Sequence, residues 1–191
     1  MSHADLFLRE SVQIAEKLDR FGIEQMAVAL NDLRGRGGRL FLLGLGGSAA
    51  NCSHAAADFR RLCEIRALTP TDNVAEFSAR VNDDGYANAF SLWLVSHGAD
   101  GDDALLVLSV GGGTEMVSQP ITEAVRWGHK IGMSVMGIVG PDGGVTAQLA
   151  DIVLKVPASG KRITPHSEAF QAVIWHALCS HPLLQRNATK W

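Results

Sequence analysis

The sequence has no apolar run as long as the ~18 residues a membrane span requires, which excludes a transmembrane helix. It has no basic block. Its 17 Lys and Arg against 20 Asp and Glu leave a formal charge of −3, which argues against a nucleic-acid surface. It has little cysteine. Cys52, Cys63 and Cys179 show no metal-type spacing. An odd, small number points to a reducing compartment and away from a disulfide scaffold. The opening MSHADLFLRES has an early acidic residue and no apolar h-region, so no signal peptide is expected. There is no internal repeat and no linker. The expectation is a soluble, cytoplasmic chain without membrane or nucleic-acid partners.

What is present suffices for one α/β domain over 1–191. The chain has 191 residues, 47% of them hydrophobic, enough for a core of its own. It is organised around 39–58, RLFLLGLGGSAANCSHAAAD. Leu40 to Leu43 is a candidate buried strand. Gly44, Gly46, Gly47 and Ser48 then turn into a run of small residues that can form a helix. Strand, glycine turn and helix build an anion site, because glycine lets the backbone approach and first-turn N–H groups lack internal partners.

Ahead of this stretch, apolar spacing predicts a helix over Asp5 to Gly22, ended by Gly22, and a second over Ile23 to Leu33. These two leading helices (1–36) precede an α/β core (37–185). They either pack on their own domain or form contacts between subunits. Beyond it, Arg66 to Thr69 reads as a short strand. Thr71 or Asp72 can cap a helix over Asn73 to Val81, Asn82-Asp83-Asp84-Gly85 reads as a turn, and Tyr86 to Val95 as a helix. Ala104 to Ser109, Met133 to Val139 and Ile152 to Val156 read as strands. Glu115 to Gly128 and Val145 to Ala150 read as helices, with Pro120 disturbing the first. Thr164 as cap and Pro165 at the first position open a last helix to about Ser180. The tail 186–191 reads as loose. Strands alternating with helices predict a parallel sheet with helices on both faces.

Two strands end in a glycine turn followed by a hydroxyl: Gly46-Gly47-Ser48 and Gly112-Gly113-Thr114. Ligands of open α/β sheets bind beyond the carboxyl ends of the strands, so Ser48, Ser109 and Thr114 can surround one phosphate. The bland reading is two tight turns. Gly44-x-Gly46-x-x-Ala49 also fits a dinucleotide fingerprint weakly, but Glu64, the nearest acidic candidate, precedes its strand. His54 and Asp58 lie about 40° apart around a helix. They can bind a metal, exchange protons, or merely pair on the surface. Glu168 and His176 share a side of the last helix, but eight residues rise about 12 Å. They meet at one ion only if their side chains converge. His166 and His181 read as surface residues, and Trp175 as core or interface.

These motifs resemble the sugar isomerase (SIS) domain family, and within it the phosphoheptose isomerases, over nearly the whole chain. The family pattern Gly-Asn-Gly-Gly-Ser with a following His-x-x-x-Glu resembles Gly44-Leu45-Gly46-Gly47-Ser48 and His54-x-x-x-Asp58. Its Asn-Asp-x-Gly turn resembles Asn82 to Gly85. Its phosphate loop falls on Ser109, Val110, Gly111, Gly112, Gly113 and Thr114, and its late Gln and His on Glu168 and His176. Leu45, Asp58, Val110, Gly111, Gly113 and Glu168 depart from that pattern. Gln171, close to Glu168, leaves the register of the last helix open.

The resemblance implies a ketose/aldose phosphosugar isomerase with Asp58 as base and His176 as acid. It implies a zinc ion on His54, Asp58, Glu168 and His176, and a homotetramer with sites at subunit contacts. Substrate contacts are expected from Gly46, Gly47, Ser48, Asn82, Asp83, Ser109, Val110, Gly111, Thr114 and Glu168. The expected reaction converts sedoheptulose 7-phosphate to D-glycero-D-manno-heptose 7-phosphate. The alternative is a non-catalytic SIS-type regulator that binds a sugar phosphate, or a partner such as a replication initiator.

Overall fold

Five parallel strands form one sheet in the order β2-β1-β3-β4-β5, in a computed structural model that describes residues 1–190. The strands are β1 (Arg39–Leu43), β2 (Arg66–Leu68), β3 (Ala104–Ser109), β4 (Ser134–Val139) and β5 (Ile152–Lys155). Leu40 pairs with both Ala67 and Ala104, and Ser109 with Val139. Every residue of β3 is buried, as expected of a central strand covered on both faces.

The helices are α1 (His3–Lys17), α2 (Arg20–Gly35), α3 (Gly47–Cys63), α4 (Val74–Asp83), α5 (Ala89–Ser96), α6 (Gln119–Lys130), α7 (Gly144–Leu149) and α8 (Ile163–Cys179). One apolar layer gathers Met26, Leu30, Phe59, Ile174 and Trp175 on one face of the sheet. The other gathers Phe41, Phe90, Trp93, Ile121 and Val125 on the opposite face. Helices on both faces of a parallel sheet match the expected fold class.

Several boundaries differ from the sequence expectation, each for a local reason. The first helix stops before Gly22, because the Asp19 side chain accepts from Gly22 N–H at 3.0 Å and caps α2. Gly22 is instead packed inside α2, where a methyl would come within 2.6 Å of Leu154. Asn73, not Thr71 or Asp72, caps α4 by accepting from Glu76 N–H. The α4 helix runs through Asn82 and Asp83, and the chain turns only at Asp84 and at Gly85 with its φ of 82°. A 3-10 turn over Tyr86–Asn88 precedes α5. Residues 115–118 are loop, and Pro120 sits in the first turn of α6, where a missing N–H costs nothing. Thr164 does not cap α8, which starts at Ile163, two residues before the expected Pro165, from a 3-10 turn over Gly160–Arg162.

Two further expectations are corrected. His166 is buried, not a surface residue. It stacks on Phe7 at 4.2 Å and its Nε2 lies 2.9 Å from Glu10 Oε2. Glu10 also holds Arg162, so α1 is latched to the start of α8. His181 is half-buried and paired with Glu24 at 2.9 Å. The tail is not loose at its start, since Arg186 and Asn187 N–H groups donate to Leu62 C=O. Trp191, its last residue, lies outside the described residues. The leading helices pack on their own domain. Ile14, Met26, Ala27, Leu30 and Leu33 are buried on the domain, while Leu8, Val12, Phe21 and Val28 face outward. Among the described residues, no helix is long and apolar enough to cross a membrane.

Candidate active site

Two recesses flank α3 and α8. The first lies at the carboxyl ends of β1 and β3, where an open α/β sheet presents its ligand site. Gly44 lets the chain fold tightly onto α3, since a methyl there would stand 2.7 Å from the Ser48 backbone and 2.9 Å from Cys52 Sγ. Gly46 takes a φ of 60° and becomes the N-cap of α3. After β3, Ser109 Oγ accepts from Gly112 N–H at 3.0 Å. Gly112 C=O accepts from Thr146 N–H at 3.0 Å and Oγ1 at 2.7 Å, and Gly113 C=O from Val145 N–H at 2.9 Å. The loop is therefore fastened to α7. The pocket so formed, about 270 Å³, is lined by Leu45, Ser48, Ser109, Val110, Gly111, Gly113, Thr114, Val117, Ser118 and Glu168.

The structure thus brings together Ser48, Ser109, Val110, Gly111, Thr114 and Glu168, with Gly46 and Gly47 forming the start of the adjoining α3. The Thr114 hydroxyl also has a local partner set. It accepts from Val117 N–H at 2.9 Å and Met116 N–H at 3.3 Å and so shapes the loop. Asn51, which the sequence did not single out, donates to Glu168 C=O and Gln171 Oε1, both at 3.0 Å, and fixes α8 against α3.

The second recess, a cleft of about 440 Å³, is lined by His54, Asp58, Arg61, Leu62, His176, Cys179, Ser180, Gln185 and Thr189. His54 and Asp58 fall one turn apart on α3, and His54 Nε2 lies 3.7 Å from Asp58 Oδ2. The His54 ring meets the His176 ring edge-on at 5.4 Å between centroids, and packs on Trp175 at 4.7 Å. Burial first, and the neighbouring His54 second, push the His176 pKa below the ordinary histidine value, while Asp58 opposes them. His176 is therefore mostly a neutral imidazole at neutral pH, able to donate from one nitrogen and accept at the other. Arg61, seven residues after His54, shares that face of α3 and was legible by periodicity. Gln185 and Thr189 reach the cleft from the tail, and nothing local in the sequence marks them.

Two parts of the expected site stand apart. Glu168 lines the first pocket, not the cleft of His54, Asp58 and His176, as the long rise between it and His176 requires. Asn82 and Asp83 are exposed at the end of α4, bonded to each other at 2.7 Å, and line neither recess. A further cavity of about 870 Å³ beside β2 contains none of the expected site residues.

The donor types of His54, Asp58 and His176 suit a divalent ion, and a neutral His176 is the ligating form. As the side chains stand, no group of three or more His, Cys, Asp or Glu among the described residues is arranged to hold one. The three share a cleft and would have to turn toward a common point. Glu168 does not fit that set.

A carboxylate and a neutral imidazole in one cleft, beside a glycine-turn pocket at helix N-termini, have the chemistry suited to proton transfer on an anionic ligand. A family model described as the SIS domain matches residues 7–140. The phosphoheptose isomerase of Rhodospirillum rubrum is 33% identical over 148 residues, covering 75% of this chain and 74% of its own. That of Aneurinibacillus thermoaerophilus is 32% identical over 178 residues, covering 91% and 85%. The structure of phosphoheptose isomerase GmhA from Neisseria gonorrhoeae superposes with a TM-score of 0.81 at 28% identity, covering 92% of this chain and 94% of that one. The chain belongs to the SIS domain family, as an aldose–ketose isomerase of the phosphoheptose isomerase type.

Proposed function

We propose that this enzyme interconverts sedoheptulose 7-phosphate and D-glycero-D-manno-heptose 7-phosphate. The observation that carries the reading is the placement of Asp58 and His176 in one cleft, next to a pocket with helix N-termini. The rise of about 12 Å between Glu168 and His176 along α8 is comparable to an extended seven-carbon chain with its phosphate. The pocket then takes the phosphate end and the cleft the reacting carbons. The relatives named phosphoheptose isomerase support the substrate class.

Isomerisation moves a proton between C1 and C2, most simply through a cis-enediol. Asp58 removes the proton from one carbon and returns it to the other. His176 gives its N–H proton to the carbonyl oxygen as the enediol forms and takes the proton of the neighbouring hydroxyl at its other nitrogen, so that the two oxygens exchange a proton as the two carbons do. A neutral imidazole serves this role, because it has one N–H to give and one nitrogen to accept. Zinc is proposed on His54, Asp58 and His176, where it would polarise the carbonyl as a Lewis acid. A tightly held Asp58 is not a free base, so its two roles are separate in time. Asn82 and Asp83 are proposed to reach the sugar hydroxyls of a neighbouring chain. The outward Leu8, Val12, Phe21 and Val28 of α1 and α2 support a homotetramer. The three buried free thiols fit a reducing, cytoplasmic setting.

The test is kinetic. Asp58→Asn and His176→Gln should each lose about 10²–10⁴ in kcat while still binding the sugar phosphate. Wild-type rates in either variant remove that residue from the mechanism. A second reading, a sugar-phosphate-binding regulator without turnover, is favoured by one observation: Glu168 places a carboxylate in the pocket. Binding without turnover in the native protein would establish it.

A further inference from the structure

The first pocket contains two helix N-termini and one carboxylate. Neither α3 nor α6 has a side-chain cap, since Gly46 has none to offer and Ser118 makes no cap bond. The Gly47 and Ser48 N–H groups of α3 and the Gln119 N–H of α6 are open to an anion, whereas Pro120 has no N–H and the Ala49 and Ile121 N–H groups donate to the Gly46 and Ser118 carbonyls. Glu168 reaches only α3. Its carboxylate rests so close to Gly47 that a methyl there would stand 2.6 Å from Oε2 and 2.7 Å from Oε1. Asn51 fixes this part of α8 by bonding the Glu168 carbonyl. Among the described residues, no donor bonds the carboxylate itself, so its acceptor capacity faces the pocket. The α6 side differs. The one acid of its loop, Glu115, forms an exposed ion pair with Arg126 and does not line the pocket.

We propose that Glu168 is a specificity-determining residue: it occupies the N-terminus of α3 as an internal anion, directs the ligand's phosphate to the α6 side of the pocket, and accepts hydrogen bonds from the ligand's hydroxyls. This rests on the phosphosugar reading above and assigns the polarity of the ligand within it. A phosphate at Gly47 would face a carboxylate in a partly desolvated pocket and be repelled. A polyol there supplies the donors that the carboxylate lacks, and a hydrogen bond to a charged acceptor is among the stronger ones. A ligand with both groups satisfies both ends, whereas free inorganic phosphate meets the repulsion without the hydroxyl bonds that offset it. The pocket therefore discriminates against a bare phosphate through a residue that a neutral amide would not replace.

Calorimetric titration of wild type, Glu168→Gln and Glu168→Ala with inorganic phosphate and with sedoheptulose 7-phosphate tests this. Glu168→Gln is isosteric and keeps the packing on Gly47. Both variants should bind inorganic phosphate about tenfold tighter, the effect of removing a unit charge several ångströms from an anion at intermediate dielectric. Glu168→Ala should also lose its preference for the sugar phosphate over inorganic phosphate. Unchanged or weaker phosphate binding in both variants overturns the proposal. If wild type binds inorganic phosphate but not sedoheptulose 7-phosphate, and the variants gain affinity for phosphate, the charge role of Glu168 stands and the substrate assignment fails.

Discussion

Asp103 is the polar group on which the amino end of the sheet depends. Its side chain is only 3% exposed. It accepts from Arg39 N–H at 2.8 Å, Nε at 3.1 Å and Nη2 at 2.5 Å, and from Asp100 N–H at 3.2 Å. These bonds join the start of β1 to the start of β3. Burial alone would raise the Asp103 pKa, but the bonds from Arg39 outweigh it and the net shift is downward. Replacing Asp103 with Ala leaves Arg39 with the carbonyls of His97 and Gly98 and strands its backbone N–H. Breaking a buried pair costs about 3–5 kcal/mol. Arg39 is 26% exposed, and water recovers part of that, so roughly 2–4 kcal/mol is expected. For a chain of this size the melting temperature should fall by roughly 5–15 °C.

Urea titration of wild type, Asp103→Ala, Arg39→Met and the double variant measures the effect and the coupling. The double variant should be less damaged than the sum of the singles, because no buried charge is left alone. Because the folded-state pKa is depressed, this stabilisation is present above the unfolded carboxylate pKa and is lost as pH falls through the folded one. A loss below about 1 kcal/mol in Asp103→Ala, or simple additivity, would refute this account of how β1 is anchored.

Glu10, in the middle of α1, makes a related prediction. Hydrogen bonds from Arg162, then His166, lower its pKa to about 2. The latch should hold above the ordinary glutamate pKa and release as pH falls from there toward 2, seen as acid-dependent amide exchange in α1 that Glu10→Gln shows already at neutral pH. Thr114→Ala removes the acceptor for the Met116 and Val117 N–H groups. It should raise KM for the sugar phosphate more than it lowers kcat; equal effects on both would place the hydroxyl on the ligand itself.

The sheet was largely legible because its strands are short, continuous apolar runs bounded by glycine. Ala104 to Ser109 is exact to the residue, and the parallel order follows from intervening helices. Helix boundaries were less legible, since they depend on which side chain wins a cap. Asp19 captured the Gly22 N–H where no cap was expected, and Asn73 took the place expected of Thr71 or Asp72. His166 was misread because its partners, Phe7 and Glu10, lie about 160 residues earlier in the chain. Of the candidate site, the pairs one helical turn apart were readable by geometry, and His54 with Asp58 is the example. The separation of Glu168 from His176 was also readable, from helical rise. Which pocket each faces was not, because that depends on how α8 crosses α3. Gln185 and Thr189 enter the cleft only because the tail folds back on Leu62.

Incubation of the purified protein with sedoheptulose 7-phosphate in deuterated water, followed by NMR, tests the central claim most directly. The account predicts an aldose heptose 7-phosphate that carries deuterium at C2, and loss of both product and label in Asp58→Asn. Ketose that stays unchanged with zinc supplied, or an Asp58→Asn variant that forms labelled aldose at the native rate, would contradict it.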